Sequence, residues 1–414
     1  QPSFATEATN TAAKSLGLGT LIAAMLGAPF VVWGTLIKQQ TIDFQKEGHI
    51  TDRISKAVEL LGEEKTIKRD GVEETVRNIE VRIGGLLSLE RIAQDSTRYD
   101  KGRDHVRVME ILCAYIRENA PVSLTDDWPT DRDSIMDRKR AGALDERPRS
   151  DIALALAIIG RRSPEQIEIE RKQVPEYKLD LSFCNLRFAK LNGWDYSHAS
   201  FFRSSLNGAF CLHTDFSGCN FNHATLLGLS ANDAGFDGAR LQGTVFNGAN
   251  LERATFRTCE VTHTLFFDAI LKDSHFRFMP NKAGREVNRA IFVNSNLQGV
   301  LIEGDVQGVS FGFDETSRRV KYQMLALKDA RNVRLADFFT LHEDHALNGG
   351  TDSDAGLSKM ALVFGDASVA DLPDGMDRPA HWPEWDLDLK TFYEEWRKWQ
   401  ADPDTYTPPP KPAA

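Results

Sequence analysis

Residues 181–276 read, in fives, LSFCN LRFAK LNGWD YSHAS FFRSS LNGAF CLHTD FSGCN FNHAT LLGLS ANDAG FDGAR LQGTV FNGAN LERAT FRTCE VTHTL FFDAI LKDSH F. The first residue of every unit is apolar: Leu181, Leu186, Leu191, Tyr196, Phe201, Leu206, Cys211, Phe216, Phe221, Leu226, Ala231, Phe236, Leu241, Phe246, Leu251, Phe256, Val261, Phe266, Leu271 and Phe276. Against the 41% hydrophobic background of the chain, twenty such residues in a row arise by chance roughly 2 times in 10⁸. Two residues before each of them the chain holds Ala, Cys, Ser or Thr at 17 of 20 places, the exceptions being Leu179, Trp194 and Leu229.

In an extended chain, residues two apart point to the same side. Each unit therefore turns one large and one small side chain inward. A turn must follow within five residues, or the next pair would face out. Four units close a roughly square coil of twenty residues, and coils stack at about 4.8 Å, so twenty units make five coils and a rod of about 24 Å. Backbone groups pair between coils, which leaves an open edge at each end.

This stretch closely resembles the pentapeptide-repeat family, whose units look like A(D/N)LxX. Ala249-Asn250-Leu251-Glu252-Arg253 and Cys219-Asn220-Phe221-Asn222-His223 carry the likeness. The resemblance implies a right-handed quadrilateral β-helix and no shared activity, so no catalytic residues carry over. The flanks resemble a membrane-anchored bacterial subgroup of the family, through Glu47-Gly48-His49-Ile50-Thr51-Asp52-Arg53, Val81-Arg82-Ile83-Gly84-Gly85-Leu86, Leu89-Glu90-Arg91-Ile92-Ala93 and Arg161-Arg162. The expected fold is mainly β: the β-helix over 177–314, an N-terminal transmembrane helix, a small helical module, and an irregular C-terminal region with an amphipathic helix.

Outward from the repeat, residues 277–290 break the period. It resumes at Phe292, which is read as one residue beyond three units and accommodated in a bulge or loop. That loop carries Arg277, Lys282, Arg285 and Arg289 against Glu286. A basic loop on a rigid wall is a candidate contact element, and a tolerated surface insertion is the plainer reading. Residues 315–414 form an acidic, aromatic region in which the repeat is gone. Ser358–Gly365 reads as a strand. Residues 388–400 put Leu389, Phe392, Tyr393, Trp396 and Trp399 on one helical face, and Trp382, Trp385, Trp396 and Trp399 are four of the seven tryptophans. Such a helix covers the end or flank of the coil, or docks a partner.

Toward the N-terminus, 121–176 is a linker with a short apolar helix after Ser150, suited to cover the first coil. Residues 38–120 read as three amphipathic helices, through Ile50, Ile54, Val58 and Leu61, then Ile79 to Ala93, then Val108 to Ile116 with Asp104 as N-cap. Residues 15–37, after a short tail of 1–14, hold no charge; as a helix they span about 34 Å, enough for a bilayer core. A buried soluble helix or a signal-peptide core fits this length less well. Lys38, Lys46, Arg53 and Lys56 follow it against Lys14 alone before it, which predicts a cytoplasmic main body. The chain begins at Gln1, so an additional upstream membrane helix is an open expectation.

The net charge is −10. Tyr177 to Arg277 holds nine acidic and nine basic residues, whereas 341–414 holds fifteen acidic and six basic. A neutral rod weakens a DNA-mimic reading, which requires a negative one. Five cysteines without a C-x-x-C pair suit a reducing compartment. Cys184, Cys219 and Cys259 fall in the small inward slot. His198, His213, His223, His263 and His275 are read at varied phases on the walls. His342-Glu343-Asp344-His345 lacks the H-E-x-x-H spacing. The resulting expectation is no enzyme, no cofactor, no metal and no nucleic acid. The chain is read as a membrane-anchored scaffold or adaptor at a bacterial inner membrane, meeting an unknown protein partner. The alternative is a DNA-mimic inhibitor of a topoisomerase or another DNA enzyme.

Overall fold

The computed structural model describes residues 50–123, 134, 137–138, 147–279, 290–293, 295, 297, 300–305, 309–313, 325–331, 338–340, 363–369, 378–402 and 405–411. The chain falls into two compact units, Gln1–Ile92 and Ala93–Ala414. Among the described residues no helix is long and apolar enough to cross a membrane. The expected span 15–37 lies outside the described residues.

In the first unit, α1 covers residues 50–62. After it, in the gap between the first two expected helices, the chain forms a hairpin of β1 (Glu64–Arg69) and β2 (Val72–Arg77). Asp70 and Gly71 both have positive φ, 51° and 88°, as a two-residue hairpin turn requires. α2 runs from Ile79 to Tyr99. A Cβ at Gly85 would stand 2.8 Å from the Ala57 carbonyl oxygen, so glycine there lets α1 and α2 touch.

The second unit begins with α3 (His105–Asn119), α4 (Ser150–Gly160) and α5 (Pro164–Arg171). Asp104 stands at the N-cap of α3 but makes no capping bond, and the cap position of α4 is Arg149 rather than Ser150. α5 has a full capping box between Ser163 and Gln166.

The coil follows. Backbone bridges join residues twenty apart, from Asp180 with Ser200 to Asn250 with Ile270, so four five-residue units make one turn. All twenty leading residues from Leu181 to Phe276 are at most 1% exposed. Rings stack along the axis: Phe201 on Phe221 at 4.9 Å, Phe236 on Phe256 at 4.9 Å, Phe256 on Phe276 at 4.6 Å. Each such pair contributes about 0.5–1.5 kcal/mol beyond burial. The small inward residues do more than fit. Ser204, Thr214, Thr244 and Thr264 donate their hydroxyls, and Cys219 and Cys259 their thiols, to the carbonyl of the leading residue 23 positions earlier.

The corner residue, two after each leading one from Leu181 to Leu271, has positive φ. It is glycine at Gly193, Gly208, Gly218, Gly228, Gly238, Gly243 and Gly248, and otherwise mostly His or Asp. His and Asp tolerate this left-handed region better than most residues. His198, His213, His223 and His263 all sit at this one corner phase, so only His275 lies elsewhere and the reading of varied phases is corrected. A Cβ at Gly243 would lie 2.8 Å from the His223 ring, so a bulky corner rests on a bare one in the next coil.

The insertion after Phe276 is larger than one residue. Leu265 pairs with Ile291, 26 positions on, and Phe292 stacks on Phe266 at 4.8 Å, so six residues are added within one coil. The parallel ladder also continues beyond residue 314, where the five-residue period ends. One sheet runs β3 (Thr255–Arg257), β4 (His275–Phe278), β6 (Leu301–Asp305), β8 (Leu325–Arg331) and β10 (Val363–Phe364). A second runs β5 (Ile291–Val293), β7 (Ser310–Phe313) and β9 (Phe338–Thr340). Unequal connections hide this continuation from any fixed period. α6 (Leu389–Ala401) closes the described structure.

Candidate interaction surfaces

The predicted core residues are inside, so no partner reaches them. Of the basic loop, Arg277 is exposed and its Nε lies 3.8 Å from Glu303, which also faces His275 Nε2 at 3.1 Å. Burial would raise the Glu303 carboxyl, but His275 and the Arg277 and Arg257 cations hold it below the usual carboxylate range. Lys282, Arg285 and Arg289 lie outside the described residues, as do His342 and His345. Among the described residues no group of His, Cys, Asp and Glu could hold a metal.

Among the described residues, Trp382, Trp385, Trp396 and Trp399 form no exposed patch. Trp382, Trp399 and Trp396 are 1%, 2% and 5% exposed. Phe392, Trp396 and Trp399 of α6 pack with Leu301, Phe364 and Leu387, with Trp385 and Tyr406 beside them. Leu301 and Phe364 belong to one outward column of the coil. By register that column reads Asp195, Asp215, Gly235, Thr255, His275, Leu301, Ala326, Phe364. It is polar where it meets water and apolar where α6 covers it. The aromatic helix thus lies against a flank of the coil. Trp382 Nε1 donates to the Val363 carbonyl at 2.7 Å, His381 Nε2 lies 2.7 Å from the same oxygen, and the His381 ring stacks on Trp399 at 5.2 Å.

At the other end a polar collar holds the first coil. Val122 N–H donates to Phe183 O at 2.8 Å and Asn185 N–H to Ala120 O at 2.7 Å, which pairs the open edge. Tyr196 Oη donates to Leu156 O of α4 at 2.9 Å, and Arg162 Nη2 to Asp195 O at 2.7 Å. Arg162 also meets buried Glu170, whose other oxygen lies 2.7 Å from His105 Nε2. Asp151, fully buried, accepts from Tyr115 Oη at 2.5 Å and from Arg149. Burial alone would raise its carboxyl; the Arg149 and Tyr115 donors hold it low. The Cys113 thiol nearby is pushed up to about 12 by burial, so it is a packed thiol and not a nucleophile. Cys184 and Cys259 are likewise pushed up to about 12 by burial.

The walls between collar and α6 remain. Asp233 receives both Arg253 Nε and Nη2, at 2.6 and 2.7 Å, and Asp237 receives Arg257 Nε at 2.8 Å. Each pair is separated by one coil, so opposite charges stack and cancel. Asparagines form a second ladder: Asn192, Asn207, Asn222 and Asn247 accept from the N–H of the residue twenty later. One corner stands out as aromatic and cationic. Phe183 is 48% exposed and meets Phe202 edge-on at 5.5 Å; Arg203 lies 5.3 Å over the Phe202 ring, and His223 meets Phe202 at 6.0 Å. The group is dispersed along the sequence: Phe183, Arg203 and His223 are twenty residues apart and stack at one corner phase, with Phe202 next to Arg203.

The family model for pentapeptide repeats matches eight copies, over residues 197–228 and 234–273. Similar solved structures include HetL, a pentapeptide repeat protein involved in heterocyst differentiation regulation from Nostoc sp. strain PCC 7120. It shares 17% identity over 38% of this chain and 72% of its own, with a TM-score of 0.17. QnrB1, a plasmid-mediated fluoroquinolone resistance protein, shares 13% identity over 38% and 84%, with a TM-score of 0.19. A pentapeptide repeat protein from the Arabidopsis thaliana thylakoid lumen shares 27% over 27% and 63%, with a TM-score of 0.12. No curated protein matches this chain. The eight matched copies fall on the square coil described above, so residues 197–228 and 234–273 are pentapeptide repeats.

Proposed function

We propose that this chain is a scaffold that holds protein-binding walls at a bacterial inner membrane, on the cytoplasmic side. The observation that carries the reading is the filled coil: every leading residue is buried, so recognition falls to the outer walls and corners. Acidic and basic side chains on those walls pair coil to coil through Asp233 with Arg253 and Asp237 with Arg257, which suits a protein partner of mixed charge better than a mimic of nucleic acid. The uncharged stretch 15–37 supplies the anchor in this reading, and the Lys/Arg excess after it sets the side. The aromatic corner of Phe183, Phe202, Arg203 and His223 is the preferred contact, since exposed aromatics and arginine dominate interface energies. The reading includes no catalysis.

The test is membrane flotation of the tagged full chain, with and without residues 15–37, followed by cross-linking from a photoreactive residue at position 203. Flotation that depends on 15–37, with one defined protein captured from position 203 and lost from a control at Arg240, supports the reading. A full chain that stays in the soluble fraction overturns the anchor. Inhibition of gyrase supercoiling by the purified chain overturns the scaffold in favour of a DNA-mimic inhibitor.

A further inference from the structure

The hairpin of the first unit is an unfinished sheet. β1 and β2 pair only with each other among the described strands, and none of their twelve residues is buried. A two-stranded hairpin with neither face covered is marginal in water. Its register is fixed: Arg69 faces Val72, Ile67 faces Glu74, and Lys65 faces Val76. Beyond them, Asn78 N–H donates to Glu63 O at 3.0 Å. Hydrogen-bonded pairs alternate with non-bonded ones along an antiparallel ladder. With the bonded pairs at 69/72, 67/74, 65/76 and 63/78, the main-chain groups of Glu73, Thr75 and Arg77 point away from β1.

That outward edge is self-complementary. Glu73, Thr75 and Arg77 share one face, with Thr75 midway between an acid and a base. Glu73 and Arg77 have no ion-pair partner among the described residues, and both are exposed. The hairpin is tied to α2 where β1 begins: Lys65 Nζ reaches Glu80 at 2.8 Å, and Arg82 Nε donates to the Glu63 carbonyl at 3.2 Å.

We propose that β2 pairs with β2 of a second copy of this chain, antiparallel about a two-fold axis at Thr75. Glu73 of each copy then faces Arg77 of the other, and Thr75 faces Thr75. About six main-chain hydrogen bonds close the seam from groups already aimed at it. The hairpins become one four-stranded sheet. Ile67, Val72 and Val76 lie on its other face, so the apolar face of each hairpin continues into that of its neighbour. A seam centred between Glu74 and Thr75 puts Arg77 opposite Val72 and forms no ion pair, so the charges select the Thr75 register. This inference stands apart from the scaffold reading and does not require a membrane.

The experiment is Thr75→Cys in the full chain under mild oxidation, read on a non-reducing gel. Paired residues in a bonded position stand about 5.5 Å apart at Cα, inside the range a disulfide spans. All five native cysteines are buried, which keeps the background low. Thr75→Cys is expected to give a species of twice the mass, and Thr66→Cys, on the β1 edge, is expected to stay single. Adding Glu73→Arg removes most of the Thr75→Cys cross-link, and adding Arg77→Glu as well restores it. The proposal is overturned if Thr75→Cys stays single, if Thr66→Cys cross-links equally, or if the charge swap fails to restore what the single reversal removed.

Discussion

The regular coil and its continuation share one hydrogen-bonding ladder and are held by different means. Between 201 and 276 each unit lies on the one twenty positions before it, the inside is a repeated stack of Leu and Phe, and the column from Asp195 to His275 stands in water. Beyond it the same column steps by 26, 25 and 38 residues to Leu301, Ala326 and Phe364, and α6 lies over it. The first part is stabilised from within, by periodicity. The second is stabilised from outside, by one aromatic helix. A repeat array is close to one-dimensional, so the two parts should fail separately.

The largest blow to that contrast is Phe236→Ala. Phe236 is fully buried and stacked between Phe216 and Phe256, at 5.3 and 4.9 Å. Its loss should cost about 3–5 kcal/mol, lowering the denaturant midpoint of the whole coil. Trp399→Ala should act on one side only. It removes the ring between His381 and Phe364, at 5.2 and 5.6 Å. Amide exchange should quicken in 363–369 and 389–401 while 201–256 keeps its protection. Equal loosening of both would erase the distinction.

Acid should sharpen it. Burial holds His381 below its ordinary 6.5, against the opposing pull of the Val363 carbonyl. The undocked histidine binds a proton more readily than the docked one. Docking of α6 is therefore at full strength above about pH 6.5 and weakens as pH falls below it. Tryptophan fluorescence from about pH 8 down to 5 should report this change, and His381→Gln should flatten the profile. The smallest effect belongs to the wall. Asp237→Ala breaks an exposed pair with Arg257 and should cost about 0.5 kcal/mol, less at high salt, as read by thermal melting. A larger loss would mean that the walls carry stability and are not free for recognition.

Repetition made the coil readable, because Leu181 to Phe276 announce their environment twenty times. The continuation was hidden for the opposite reason: a strand of three residues such as Phe338–Thr340 carries no period of its own and gains its place only from Phe311–Phe313 beneath it. The hairpin carries a local signal that its neighbours mask. Asp70-Gly71 between two strands rich in Thr, Val and Ile is a hairpin signal, but the apolar spacing on both sides favoured helix. For the surfaces, the helical spacing of Phe392, Trp396 and Trp399 points to a buried face and the structure buries it on the coil's flank, whereas Phe183, Phe202 and His223 lie 19 and 21 residues apart and meet at one corner.

The left-handed corner has a consequence for how such a protein changes. Because each corner resets the chain identically, any outward position has two coordinates. Moving a side chain five residues along the sequence rotates it a quarter turn about the axis, and moving it twenty residues raises it one coil, about 4.8 Å. The interior does not register either move. Recognition on this chain can therefore be rewritten in discrete steps of angle and height, like pegs on a board, without renegotiating the fold that carries them.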